Sequence, residues 1–243
     1  MKINFIFKNK SKKNKMNNLD GTLDGIQNTR FLNIYHGLIK QMLKQTQFSE
    51  MELNCILMIY HKFVLLNGPR AKAMTKKQFF HLFEVLFKVF DLQIIERIMI
   101  LIAKESKNHI PPIAWVKLFS VFMSDSLDEK MKFVFSIYNL HETNFLNREI
   151  LTKFVDKFFT GEDEDEVVEL TADMVDLLFK KFDLDRDGLI SYDDYSTVVR
   201  KTPMLLEFLG PCLPSRDGLT VTAYCSNILS KMGDMGLNQD DVK

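Results

Sequence analysis

The stretch FDLDRDGLISYDDY, residues 182–195, decides the fold of this chain. A hard cation takes roughly six to eight oxygen ligands, and a chain supplies them by wrapping around the ion with alternate residues pointing inward. The stretch has this pattern when Asp183 is position 1, because Gly188 at position 6 allows the positive φ of a sharp turn. The predicted ligands, at positions 1, 3, 5, 7, 9 and 12, are Asp183, Asp185, Asp187, Leu189, Ser191 and Asp194.

This spacing is that of the twelve-residue calcium loop of an EF-hand. Leu189 would contribute only its backbone carbonyl, and Ser191 would act through a water molecule and cap the next helix. Position 12 is usually glutamate, and because Asp194 is one methylene shorter we expect weaker calcium affinity and poorer discrimination against magnesium. A polar turn is the alternative, but Phe179 and Tyr195 flank the loop at helical spacing. The sequence therefore predicts one cation site, for calcium, with magnesium as the alternative ion.

The composition indicates an all-α protein and argues against several functional classes. The chain has 243 residues, 46% of them hydrophobic, and the apolar residues recur mostly at helical spacing. A net charge of zero gives no electrostatic case for nucleic acid, and no apolar run approaches the length of a membrane span. Three scattered cysteines, Cys55, Cys212 and Cys225, argue against a disulfide framework. No nucleophile–base pair or phosphate loop appears, so we do not expect an enzyme.

Three further helix–loop–helix units have the right length for EF-hands but have lost their acids. Their loops are 67–78, 103–114 and 139–150, and each ends in a residue that cannot act as an acidic ligand: Gln78, Ala114 or Ile150. Glu105 is the one acid that remains in the second loop. We predict that all three loops are metal-free. The third loop should still pair with the fourth, residues 145–147 against residues 189–191.

The predicted architecture is all-α: a two-lobed EF-hand protein with four helix–loop–helix units, three of them degenerate, and short paired loop strands. Residues 1–30 form a basic arm, either disordered or docked on an acidic surface. Residues 31–123 form the N-terminal lobe, with hands 1 and 2, and residues 124–201 the C-terminal lobe, with hands 3 and 4. Residues 202–243 form a short apolar helix, which starts at Thr202 and stops at Gly210, and an extended tail. That helix should be buried in this protein's own groove or in a partner's.

Three stretches resemble calaxin-like EF-hand proteins, which are of the neuronal-calcium-sensor type. They are SLDEKMKFVFSIYNL (126–140), FDLDRDGLISYDDY (182–195) and LLEFLGPCLP (205–214), and the last is the most specific. The resemblance covers roughly 48–214. It implies the axoneme of a cilium, at the docking complex of the outer dynein arm. The implied partners are docking-complex coiled-coil subunits and the outer dynein arm, with the doublet microtubule nearby, and neither nucleic acid nor membrane.

The loss of ligands in three loops bears on the choice among three functions. A structural adaptor that holds the outer dynein arm needs the helix–loop–helix shape without switching, so this is the first hypothesis. The second is a calcium sensor that opens one lobe on binding. The third, a soluble calcium-sensor subunit of the calcineurin-B-like kind, predicts several intact loops and often a myristoyl glycine, whereas this chain begins Met1-Lys2.

Overall fold

The computed structural model describes residues 23–218, apart from 69, 104–107, 141–142, 162 and 216. Within these residues the chain consists mainly of helices with two small strand pairs, as predicted. The helices are α1 (Gly25–Met42), α2 (Glu50–Leu66), α3 (Lys76–Leu82), α4 (Leu92–Ala103), α5 (Pro112–Phe122), α6 (Leu127–Tyr138), α7 (Arg148–Val155), α8 (Glu164–Phe182) and α9 (Tyr192–Lys201). The strands are β1 (Met74–Thr75), β2 (His109–Ile110), β3 (Phe145–Leu146) and β4 (Ile190–Ser191). In the described part of the chain, no helix is both long and apolar enough to cross a membrane.

Polar caps fix where several of these helices begin. Thr75 and Gln78 form a capping box at the start of α3, in which each side chain bonds the other residue's backbone N–H. At α6 only half of such a box forms, because the Ser126 side chain accepts from the backbone of Glu129 without the reciprocal bond. Pro112 is the first residue of α5, a position where the missing N–H costs no hydrogen bond.

The four hands associate in two pairs through their loops. Met74 of loop 1 lies opposite Ile110 of loop 2, and Leu146 of loop 3 lies opposite Ile190 of loop 4. The predicted pairing of the third loop with the fourth is therefore confirmed. In the first pair the Tyr60 hydroxyl accepts from the Met74 N–H at 3.1 Å and donates to the Ile110 carbonyl at 2.6 Å, so that it bridges the two strands.

A continuous hydrophobic core runs through both pairs of hands. Trp115 is fully buried, and its indole N–H donates to the Ile56 carbonyl at 3.0 Å, which joins α5 to α2. Across the two pairs, the Arg97 guanidinium on α4 donates to the carbonyl of Asn139, at the end of α6, at 3.0 Å. Helix α4 therefore supplies a cap for a helix of the other lobe.

Two predictions from the sequence are wrong: the end of the basic arm and the helix after Thr202. Helix α1 begins at Gly25, so residues 25–30 do not belong to the basic arm; Asp24 caps the helix, and Phe31 is buried against α2. The predicted helix after Thr202 is only a 3₁₀ turn, Pro203–Leu205, followed by irregular turns, and Met204 is 93% exposed. Residues 1–22 of the predicted arm and 219–243 of the predicted tail lie outside the described residues.

Candidate metal centre

The acidic loop joins α8 to α9, and its backbone has the turns that such a loop needs. Asp183 is the C-cap of α8, and its N–H donates to the Phe179 carbonyl at 2.9 Å. Arg186 and Gly188 have positive φ angles of 62° and 81°, and only the second is a glycine. These two turns reverse the chain within the loop, so that side chains before and after them point to a common centre.

Three carboxylates meet at this centre. One oxygen from each of Asp183, Asp185 and Asp187 lies within 4.8 Å of the others. Backbone N–H groups orient them: Asp187 and Gly188 donate to the two oxygens of Asp183, at 3.2 and 3.0 Å, and Leu189 donates to Asp187 at 2.8 Å. Three negative groups so close repel one another unless a cation lies between them. Carboxylate oxygens are the ligands that calcium and magnesium prefer, so this donor set fits the predicted ion.

Asp194 lies apart from the cluster of three. It is 8% exposed, and its Oδ2 accepts from the Ser191 backbone at 3.0 Å and from the Ser191 hydroxyl at 2.6 Å. Ser191 is the N-cap of α9, as its sequence position predicted. We propose that Asp183, Asp185, Asp187, the Leu189 carbonyl, Ser191 through water, and Asp194 hold the ion. The cap bonds go to Oδ2, so Asp194 can offer Oδ1 to the ion without giving them up.

Replacing Asp194 by glutamate should raise calcium affinity about tenfold, which corresponds to roughly 1.4 kcal/mol. Glutamate at the third helical position can keep a capping box while its longer side chain brings both oxygens to the ion. Calorimetric titration of Asp194→Glu against the unchanged chain measures the difference, and Asp193→Glu, exposed beside it, is the matched control. Equal or lower affinity in Asp194→Glu would mean that the short carboxylate already reaches the ion.

In loop 1, a side-chain amide joins the first and last positions of the loop. The Asn67 side-chain N–H₂ at position 1 donates to the Gln78 side-chain oxygen at position 12, at 2.8 Å, and at 3.4 Å to the Ala73 carbonyl at position 7. Gln78 also donates to the Phe63 carbonyl at 2.9 Å. Positions 1, 7 and 12 are those that a cation joins in an intact loop. The amide therefore makes the cross-link that the ion would otherwise make.

Truncating Asn67 to alanine should destabilise the N-terminal lobe by about 1–2 kcal/mol, because the bonds across the loop are lost. Metal binding should not change, since Asn67 lies in the first hand. Thermal unfolding measures the first effect and calorimetry the second. Asn33→Ala, at an exposed position of α1, is the control. Unchanged stability in Asn67→Ala would show that strand pairing alone closes the loop.

The other two degenerate loops keep the fold of the hand without an acidic set. In loop 3 the Asn139 side chain accepts from the Thr143 N–H at 3.1 Å, and Asn144 takes the positive φ of 65° that glycine usually provides. Ile150, in place of the closing acid, is fully buried. In loop 2 Ala114 is buried at the closing position, and Glu105 lies outside the described residues. Within the described residues, the loop-4 aspartates are the one cluster of three or more potential ligands.

The segment after α9 packs into the C-terminal lobe of this same chain. The sequence had left open whether it would lie in this protein's own groove or in a partner's. The Phe208 ring lies 4.2 Å from that of Phe182 and 5.5 Å from that of Tyr138. The Tyr138 hydroxyl donates to the Gly210 carbonyl at 2.7 Å, and the Tyr195 hydroxyl to the Leu206 carbonyl at 2.8 Å. Burial raises the pKa of both phenols well above its usual range, so they remain donors. The sequence signal that we missed was the aromatic residue inside LLEFLGPCLP.

Comparison with known proteins gives two kinds of match. Residues 128–200, which include loops 3 and 4, match the family model of an EF-hand domain pair. Calaxin from Homo sapiens is 30% identical over 175 residues, which cover 69% of this chain and 81% of the human protein. Calaxin from Bos taurus is 31% identical over 174 residues, with 69% and 81% covered. Calcium and integrin-binding family member 2 from Homo sapiens is 27% identical over 186 residues, with 76% and 90% covered.

Proposed function

Because this chain belongs to the calaxin family of EF-hand proteins, we propose that it is an axonemal adaptor of the outer dynein arm. In this proposal it binds docking-complex coiled-coil subunits on the doublet microtubule and holds the outer dynein arm there. The family resemblance suggests the location and the partners. The state of the four loops is the observation that favours an adaptor over a switch.

Two degenerate loops and one aromatic side chain support a static role. An EF-hand switch opens a helix pair when ions enter its loops. Here loop 1 is closed by the Asn67 amide, and loop 3 ends in the buried Ile150. In the C-terminal lobe, Phe208 already fills the space between aromatic side chains of α6, α8 and α9. An ion in loop 4 would then stabilise the fourth hand, and opening would have to displace the segment around Phe208.

A calcium sensor is the second candidate, and the preformed loop 4 favours it. The three carboxylates are already oriented by backbone N–H groups, so an ion entering the loop needs little rearrangement of those side chains. A calorimetric calcium titration in millimolar magnesium separates the two candidates. Calcium heat for one site at micromolar concentration favours the sensor. Absence of such heat favours an adaptor whose loop holds magnesium as a structural ion.

The adaptor proposal is tested in ciliated cells that lack this protein. Tagged full-length chain and its Asp183→Ala variant are expressed, axonemes are isolated, and outer dynein arms are counted by electron microscopy with and without calcium. We expect both proteins to be retained and both to restore the arms, independently of calcium. Absence of the chain from axonemes contradicts the location, and arms restored only by the unchanged chain contradict the static role.

A further inference from the structure

A large cleft lies beside the first hand, away from the metal loop. It has a volume of about 1480 Å³ and lies between α1, the second half of α2 and loop 1. Apolar side chains line it, and two of them are unusually accessible: Ile26 is 81% exposed and Ile34 is 50% exposed. On α1 these two residues are eight positions apart, on the same helical face, and Leu65 of α2 lines the cleft too. A surface of this kind is typical of a binding site for a partner's apolar residues.

The rim of the cleft is basic. Loop 1 contributes Arg70 and Lys72, both exposed, at positions 4 and 6 of this degenerate loop. Asp24, the one acidic residue that lines the cleft, accepts from the Gln27 N–H at 2.7 Å as the helix cap. The sequence adds more positive charge just upstream, because lysines at 8, 10, 12, 13 and 15 precede α1. A loop that would attract cations in an intact hand here attracts anionic groups.

The buried part of the cleft wall contains a polar group without a partner. His61 is 2% exposed, its ring lies edge-on to Phe31 and Tyr35, and among the residues that the structure describes neither ring nitrogen has a hydrogen-bond partner. Burial, and then the charge of Arg30, lower the pKa of His61 to about 4, so the ring is neutral at physiological pH. A buried polar group without a partner destabilises the folded chain. A ligand that binds in the cleft and forms a hydrogen bond with His61 would remove this cost.

We propose that this cleft binds an acidic amphipathic helix of a partner protein. The helix lays its apolar face on Ile26, Ile34 and Leu65, and its carboxylates face Arg70 and Lys72. Entry of an apolar side chain separates α1 from α2 slightly and brings a polar group of the partner within reach of His61. The inference rests on the proposed function only in that an adaptor must hold a partner, and it assigns that partner's chemistry.

Charge favours a protein helix with acidic residues over other occupants. A basic helix would meet Arg70 and Lys72 with like charge, and a purely apolar segment would leave both cations unused. An anionic membrane would also match the charge. However, the cleft is a concave site between two helices, which suits a rod of side chains better than a flat surface.

The test uses the full chain and a synthetic helical peptide with leucine along one face and glutamate along the other. Chemical-shift mapping by NMR should place the peptide along α1, α2 and loop 1, and the imidazole signals of His61 should shift. Binding should weaken with added salt, as contacts between exposed charges do. A matched peptide with lysine in place of glutamate should bind at least about tenfold more weakly.

Variants of the chain localise the site. Ile34→Glu, and separately the pair Arg70→Glu and Lys72→Glu, should each weaken peptide binding about tenfold or more. Leu177→Glu, at a position 59% exposed on α8, and Lys201→Glu, exposed at the end of α9, are the matched controls and should bind as the unchanged chain does. All substituted side chains are exposed, and circular dichroism verifies that each variant is folded.

Four outcomes of the peptide and vesicle experiments would overturn the inference. Shifts confined to the C-terminal lobe, equal binding of the lysine peptide, or equal losses in the control variants would each exclude the cleft as an acidic-helix site. Binding to phosphatidylserine vesicles without binding to the peptide would assign the charge to a membrane instead. If the peptide fails while the chain still restores outer arms in cells, only this inference falls. If the peptide binds but the chain is absent from axonemes, only the proposed function falls.

Discussion

Asp183→Ala should remove measurable calcium and magnesium binding from the chain, a loss of at least about a hundredfold or roughly 2.7 kcal/mol. Asp183 occupies position 1 of the loop, and its two oxygens accept from the N–H groups of Asp187 and Gly188. The substitution therefore deletes a proposed ligand and also releases the turn that orients the other two aspartates. In the described part of the other loops, no cluster of acids could compensate.

Calorimetric titration of the full chain measures this loss. Asp193→Ala is the matched control, because Asp193 is exposed, adjoins the loop and is absent from the cluster of three carboxylates. It should bind the ion within about twofold of the unchanged chain. High-affinity binding that persists in Asp183→Ala would place an ion elsewhere and would refute the interpretation of the three degenerate loops as metal-free.

Phe208→Ala should destabilise the protein by about 2–4 kcal/mol. Phe→Ala changes in cores cost roughly 3–5 kcal/mol, and Phe208 is only partly buried, so we expect a somewhat smaller cost. Its ring contacts those of Phe182, Tyr195 and Tyr138, with centroids 4.2, 5.9 and 5.5 Å away. Removing it leaves a gap at the junction of three helices and weakens the packing of the segment after α9.

The same substitution should also lower metal affinity several-fold. Phe182 precedes the first proposed ligand of loop 4 and Tyr195 follows the last, so both ends of the loop pack against the Phe208 ring. Urea unfolding measures the stability, and calorimetry measures the affinity. Met204→Ala, in the same segment but 93% exposed, is the control for both. Unchanged stability in Phe208→Ala would mean that the segment is not an integral part of the lobe.

The acidic loop could be predicted because its information is local. The spacing of Asp183, Asp185, Asp187 and Gly188 fixes both the oxygens and the turn within a few residues, and the structure brings those three carboxylates together. The capping box at Thr75 and the first turn of α5 at Pro112 are likewise decided by neighbours in sequence. The pairing of loops followed from the fixed place of the central strand residue in each loop.

The remaining features depend on residues that are distant in sequence. Apolar composition predicted a helix after Thr202, but hydrogen bonds from Tyr138 and Tyr195 to the carbonyls of Gly210 and Leu206 stabilise an irregular path instead. The start of α1 is different, because the capping box between Asp24 and Gln27 is a local signal that we missed, and the contact of Phe31 with His61 of α2 then holds the helix in place. Short-range spacing therefore determined the hands, the caps and the one acidic loop. The tertiary structure alone decided the closed first loop, the filled C-terminal lobe and the basic cleft, because each depends on contacts that exist only after the helices have packed.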